Sequence, residues 1–312
     1  MAKPTVAKTN IGLLDLDNIA VRGNGRAAFP RTCWTWQRGE QWGILGPNGS
    51  GKSLLALALC GRVPLLHGEI HYHFDPAARD AFPEQSIALV SPQVQRELAI
   101  GEGSFYQSRW HSGIAEGRQT VAQFLSQASV EDINPFEVGA RKSNPHQFWE
   151  NRRRFSRWLG IEPLLCRKLI SLSNGEQRKV LLVHTLLRLP RLLILDDPFG
   201  GLDLATRLRL KTVIHRLMRA GWPVLVITSR PDELPSQTTH LLLARNRRII
   251  AQGTKRAVLQ HPLARRLISS PVVLSAFSSS KEPAGKGRAA PLIELNHATV
   301  RFGRQRILDD VT

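Results

Sequence analysis

One octapeptide constrains this chain more than any other feature. Gly46-Pro47-Asn48-Gly49-Ser50-Gly51-Lys52-Ser53 follows a short apolar run containing Trp42, Ile44 and Leu45 and precedes a second apolar run over 54–60. Strand, glycine-rich loop and helix in this order make a phosphate-binding loop of the form GxxxxGK[ST]. The glycines let the backbone fold so that successive N–H groups point inward, and the helix that starts here adds its positive end. The cradle is assigned to Gly46, Asn48, Gly49, Ser50, Gly51, Lys52 and Ser53; Lys52 is placed to reach terminal phosphates and Ser53 to hold magnesium. A chain carrying this unit is expected to be an α/β protein with a mostly parallel core sheet flanked by helices.

A second segment, RLLIL over 191–195, runs into Asp196-Asp197-Pro198. An isoleucine and leucine run ending in carboxylates reads as a buried parallel strand that delivers acids to a site at its carboxyl end. Asp196 is expected to bind magnesium through water and Asp197 to orient an attacking water. The charge of the whole chain agrees with an anionic ligand: 43 Lys plus Arg against 25 Asp plus Glu, a formal +18. Nucleotides, nucleic acid and lipid headgroups all fit that sign. The longest apolar runs, over 54–60 and 192–195, fall far short of the roughly 18 residues of a bilayer span. The opening MAKPTVAKTN lacks the apolar segment of roughly 7 to 15 residues of a secretory signal. A cytoplasmic location, peripheral on the inner face of the membrane if a membrane partner exists, is the expectation. Cys33, Cys60 and Cys166 are odd in number and far apart, so they are read as small core residues rather than a disulfide framework.

Between the two motifs, Leu172-Ser173-Asn174-Gly175-Glu176-Gln177-Arg178-Lys179 resembles the signature sequence of the ATP-binding-cassette (ABC) ATPases. Ser173 and Gly175 can present a hydroxyl and bare N–H groups at the start of a helix, a second anion site. A capping-type helix start explains the same residues without a ligand. Further landmarks of the family follow in order: Gln93 matches its Q-loop glutamine, Gly200-Gly201-Leu202-Asp203 its D-loop, and Ser229 stands where its switch histidine is usual. Within the family the strings LLHGE, YQSRWHSG and LLILDDPFGGLD resemble the tandem-cassette molybdenum-transport and photorepair proteins.

The resemblance implies an antiparallel β subdomain and a helical signature subdomain beside the core sheet. It implies ATP and Mg2+ as ligands, with Ser53, Gln93 and Asp196 at the metal. The catalytic set becomes Lys52, Gln93, Asp197 and Ser229. Ser173, Gly175 and Glu176 would then cap the nucleotide of a partner domain, either a second cassette in the same chain or another copy of this one. A membrane permease is a further partner, with molybdate one candidate cargo. A nucleic-acid-linked ATPase is the alternative that the positive charge would serve, and a nucleotide sensor with little turnover is a third. Asp197 replaces the family's usual glutamate with a side chain one methylene shorter, setting the carboxylate about 1 Å back, a misplacement able to cost on the order of 100-fold. Ser229 removes an imidazole near the γ-phosphate. Slow hydrolysis is the expectation.

An internal repeat completes the sequence picture. Residues 14–22, LDLDNIAVR, read like 293–301, IELNHATVR, an offset of 293 − 14 = 279. The resemblance places an adenine-stacking aromatic near the end of this strand: the second copy has Phe302, whereas the first has Gly23. The expected organisation is a nucleotide-binding domain over 1–262 with its helical subdomain at about 94–178, a linker over 263–290, and the truncated start of a second cassette over 291–312. Strands are expected near 11–21, 34–45, 69–74, 86–90, 191–195, 223–228, 240–244 and 247–251, and a helix over 204–220 capped by Asp203. His71 and His73, on one strand face, are read as solvated rather than metal-bound. Arg152, Arg153, Arg154 and Arg157, interleaved with Phe155 and Trp158, are read as a solvated amphipathic helix, and Trp34, Trp36 and Trp42 as sheet packing.

Overall fold

The computed structural model describes residues 12–23, 26–74, 86–93, 119–131, 144–269, 298–302 and 305–311. They form two units, Met1–Ser270 and Pro271–Thr312. The first unit opens with β1 (Gly12–Gly23), β2 (Arg26–Gln37) and β3 (Trp42–Leu45), followed by α1 (Lys52–Leu59), β4 (Leu65–Tyr72) and β5 (Ile87–Val90). Four helices follow: α2 (Val121–Phe124), α3 (Gln127–Val130), α4 (Pro145–Leu159) and α5 (Asn174–Leu187). Then come β6 (Leu192–Asp196), α6 (Leu204–Arg219), β7 (Val224–Thr228), β8 (His240–Arg245), β9 (Arg248–Thr254), α7 (Lys255–Leu259) and α8 (Pro262–Ser269). The core sheet has the order β5-β6-β7-β3-β8-β9, parallel except for the β8–β9 pair. A separate antiparallel sheet has the order β2-β1-β4. The expected α/β class with an antiparallel subdomain is the observed one.

Burial on both faces explains why the central strands read as continuous apolar runs. Leu193 and Leu195 of β6 and Val224 and Val226 of β7 point into a core shared with α4, α5 and α6. Their alternates Leu192, Ile194, Leu225 and Ile227 point the other way, into a core shared with β1, β2 and α1. Trp34, Trp36 and Trp42 are buried in that second core, with Trp34 ring centroids 5.6 Å from Trp36 and 5.1 Å from Trp42.

Three expectations need correction. The single strand expected over 34–45 is two strands in different sheets, the end of β2 and the whole of β3. The turn between them is fastened by Glu40, whose carboxylate accepts from Gln37 N at 2.9 Å and Trp42 Nε1 at 2.8 Å while its carbonyl accepts from Trp36 Nε1 at 3.1 Å. Of the cysteines only Cys60 is buried; Cys33 and Cys166 are exposed thiols. The stretch expected to open the linker is helix α8, and the boundary falls between Ser270 and Pro271. Leu263, Ala264 and Leu267 close a third apolar cluster with Leu45, Leu234, Leu241, Leu243 and Val258, so this segment is core and not tether.

Most of the stretch expected as a helical subdomain, 94–118 and 132–143, lies outside the described residues; α2 to α4 and the start of α5 are its described part. On α4, Phe155 is buried, Arg154 lies over the Phe155 and Trp158 rings, and Arg152 lies over Trp149. His73 Nε2 sits 2.6 Å from Asp15 Oδ2, and His71 Nε2 3.7 Å from Glu69 Oε2. No helix among the described residues is long and apolar enough to cross a membrane.

The second unit contains the hairpin β10 (Ala298–Phe302) and β11 (Gln305–Val311). Its tip pairs, Arg301 with Arg306 and Phe302 with Gln305, reproduce Arg22 with Ala27 and Gly23 with Arg26 at the offset of 279.

Candidate functional site

A cleft of about 480 Å³ opens where β3, β5, β6 and β7 end, within the volume range of small-ligand sites. Parallel order brings all four carboxyl ends to one edge, which is how residues more than a hundred positions apart in sequence meet. Its walls include Asn48, Gly49, Gly51, Lys52 and Ser53 of the loop, Gln93 after β5, Asp196 and Asp197 at β6, and Ser229 after β7.

The loop is held open by local geometry. Gly51 precedes α1 at φ 92°, a left-handed conformation that glycine adopts without steric cost, and no side chain caps this helix. By contrast, α5 and α6 are capped by Ser173 and Asp203. The first N–H groups of α1 are therefore available to an anion. Behind the loop, a Cβ on Gly46 would stand 2.2 Å from the Ala244 carbonyl oxygen, so the loop packs directly on β8. Ser50 is buried, and its hydroxyl has no hydrogen-bond partner among the described residues.

Lys52 Nζ donates to the Gly46 carbonyl at 2.8 Å and the Pro47 carbonyl at 2.9 Å. Burial lowers its ammonium below the ordinary value, against the pull of Asp196 and then Asp197. Burial likewise raises the carboxyl of Asp196, opposed by a hydrogen bond with the Ser53 hydroxyl and by the charge of Lys52. Ser53 and Asp196 thus present two hard oxygens side by side, the donor type that suits magnesium. Asp197 is held differently. Its φ is 47°, its N–H donates to the Ile227 carbonyl at 2.9 Å, and a Cβ on Gly200 would lie 2.3 Å from its Oδ2.

Ser173, Gly175 and Glu176 do not line this cleft. They form the start of α5, where Ser173 Oγ accepts from Glu176 N while the Glu176 carboxylate accepts from Ser173 N at 2.9 Å. The helix-capping reading of these residues is therefore realised in full. Arg178, one turn further on, donates to the carbonyls of Pro198 at 3.1 Å and Gly200 at 2.6 Å. That clamp ties the start of α5 to the segment that follows the paired acids.

Of the wall residues that sequence reasoning missed, among them Leu54, Leu57, Ser91 and Thr228, Arg247 is the charged one. Arg247, expected at the start of a strand, instead occupies the two-residue turn between β8 and β9 and lines the cleft beside Gly23. The only sequence signal was the Asn246-Arg247 pair between two apolar strands, a weak hairpin cue.

Comparison with known proteins follows the same lines. The profile of the family described as ABC transporter matches residues 31–200, more than half of the chain. The ABC transporter ATP-binding protein ModF of Escherichia coli is 31% identical over 284 residues, covering 89% of this chain and 52% of that protein. An uncharacterized ABC transporter ATP-binding protein of Schizosaccharomyces pombe is 26% identical over 285 residues, covering 91% of this chain and 54% of its own length. The chain thus spans about half the length of these curated relatives. Among solved structures, an ATP-binding cassette of an ABC transporter in its ADP conformation superposes with a TM-score of 0.58 at 21% identity, over 82% of this chain and 98% of that one. At that identity the likeness is one of fold.

Proposed function

The chain belongs to the ABC transporter family, and from that premise we propose that it binds Mg-ATP at the loop 46–53 and hydrolyses it slowly, coupling closure onto a second cassette to the work of a partner. The observation that carries this is the convergence of Lys52, Ser53, Gln93, Asp196, Asp197 and Ser229 on one cleft beside an uncapped helix start. In this reading the loop N–H groups and Lys52 bind and orient the phosphates. Ser53, Asp196 and Gln93 would hold magnesium, which when bound neutralises charge on the phosphates. Asp197 orients the attacking water and accepts its proton, and Ser229 offers a hydroxyl donor at the end of β7. Ser173 and Gly175, fixed by the capping contact with Glu176, face the nucleotide of the partner cassette.

The repeated hairpin over 298–311 supports a second cassette of related sequence as that partner, with another copy of this chain as the alternative. The resemblance to molybdenum-transport proteins makes molybdate a candidate cargo for an associated permease, which would place the chain on the cytoplasmic face of a membrane. The short carboxylate of Asp197, drawn toward Gly200, supports slow turnover.

The test is the Mg-ATP turnover rate of the 312-residue chain as a function of its own concentration, with Lys52→Ala as the blank. A rate rising with the square of concentration means that two copies complete each other's sites. Binding without turnover means that the other half of the site comes from elsewhere. Absence of ATP binding in the parent chain overturns the proposal.

A further inference from the structure

Besides the loop, Lys52 and the residues discussed under function, the cleft is lined by Gly23, the apolar side chains Leu54 and Leu57, and Arg247. Gly23 leaves bare backbone where any side chain would project. A Cβ placed on it would stand 3.3 Å from Arg247 Nη1 and 3.3 Å from Leu54 Cδ2. The guanidinium of Arg247 therefore fills the space beside position 23, with its Cγ 3.3 Å from where a Cβ of Gly51 would lie. The side chain runs from the phosphate loop outward along the cleft.

The backbone of Arg247 is fastened more firmly than a surface turn requires. Its N–H donates to the Ser50 carbonyl at 3.1 Å, and its carbonyl accepts from Phe29 N at 2.7 Å. It also holds φ 59°, next to Asn246 at φ 48°, the positive values of a tight hairpin turn that non-glycine residues adopt rarely. Strained backbone of this kind persists where the surroundings over-determine it. Among the described residues no carboxylate pairs with its guanidinium, although Arg230, Arg167 and Arg157 all have acidic partners. Half-buried, planar and cationic, flanked by apolar carbon and bare backbone, it is suited to the face of a π-system.

The geometry points to Arg247 as the residue that covers the base of the bound nucleotide, stacking on the ring the guanidinium plane that it holds beside Gly23. This rests on the reading of the loop as an ATP site. The repeat bears on it independently: at the position equivalent to Gly23 the second hairpin carries Phe302, an aromatic that could cover a ring from its own strand. Glycine at 23 and arginine at 247 sit against one another: a Cβ on Gly23 would stand 3.2 Å from the Arg26 carbonyl oxygen and 3.3 Å from the guanidinium, closer than an ordinary contact.

The experiment compares equilibrium binding of Mg-ATP and of Mg-tripolyphosphate, which has the phosphates and no base, to the 312-residue chain. Arg247→Ala is expected to weaken Mg-ATP about tenfold and leave Mg-tripolyphosphate within twofold. Arg247→Lys, which keeps the charge and loses the plane, is expected to behave like Arg247→Ala. Adding Gly23→Phe to Arg247→Ala is expected to restore most of the ATP affinity. Equal losses for both ligands would mean that Arg247 contacts phosphate, and no loss for either would mean that it contacts neither; each result overturns the assignment. If the parent chain binds neither ligand, or if Lys52→Ala leaves both unchanged, the failure lies with the nucleotide site itself.

Discussion

Asp196 and Asp197 are adjacent carboxylates with different surroundings, and the difference decides what each can do. Asp196 is buried on a strand end against Ser53 and Lys52, whereas Asp197 is exposed, in the left-handed region, with its carboxylate drawn toward Gly200. A buried carboxylate beside a hydroxyl is built to hold a cation; an exposed one a residue later is built to meet water. Asp197→Asn is therefore expected to abolish turnover while leaving Mg-ATP binding within about twofold. Asp197→Glu, which moves the carboxylate forward by about 1 Å, is expected to raise turnover, by up to roughly 100-fold if reach alone limits the rate. Steady-state phosphate release alongside equilibrium binding separates the two effects. A glutamate variant no faster than the parent would show that reach is not limiting.

At the scale of elements, α5 joins the signature residues to the rest of the unit in two places. One turn in, Arg178 ties it to the segment after β6, and its later turns pack on α2 and α3 through His184. The His184 ring stacks on Phe124 with centroids 4.4 Å apart. Burial, and then the charge of Arg188, pull its titration down from 6.5 to about 4, against a hydrogen bond with the Ser129 backbone. The native state therefore holds this imidazole neutral. As pH falls below 6.5 the unfolded chain takes up a proton that the folded chain refuses until about pH 4. The stability involved is fully present above pH 6.5 and is lost progressively on the way down to about 4, in all about 3 kcal/mol at 1.36 kcal/mol per pKa unit. His184→Phe keeps the stack and cannot protonate. Urea midpoints at pH 7.5, 6.0 and 4.5 should fall more steeply for the parent than for this variant; parallel curves would show that His184 is not buried as described.

The elements also show which parts of the fold can be seen in one dimension. The Asp203 cap on α6 was legible because its contact, Thr206 N to Asp203 Oδ1 at 2.9 Å, lies within three residues. The phosphate loop and paired acids were legible because each is a contiguous motif whose chemistry needs those residue types. The break between β2 and β3 was not, since Trp34, Trp36 and Trp42 keep the same alternation on both sides of it and only the fastening by Glu40 separates two sheets. Arg247 was invisible for a different reason: its position in the cleft depends on a hairpin nearly two hundred residues along the chain docking its backbone on Ser50.

For the whole molecule, the place where the first unit ends is a statement about its core. The expectation from the sequence puts the boundary at 262. Packing puts it after Ser270, because Leu263, Ala264 and Leu267 cover Leu45, Leu241 and Leu243 on the outer side of β3 and β8. Leu45 is the last residue of the strand that delivers the phosphate loop, so α8 seals the back of the same strand whose end carries the site. Ala264 is fully buried and the two leucines partly so. At 1.5–3 kcal/mol for a fully buried leucine, their loss is expected to cost about 3 kcal/mol. A chain ending at 262 should therefore melt about 6 to 12 °C below one ending at 270, by the usual 2–4 °C per kcal/mol for a domain of 150–250 residues. It should also bind Mg-ATP more weakly, because the support beneath Leu45 and Gly46 is loosened. Thermal melts of the two chains with and without Mg-ATP check both parts. Equal melting temperatures would mean that α8 contributes nothing to the core, and a lower one with unchanged nucleotide affinity would mean that the loop is held from the Ala244 side alone.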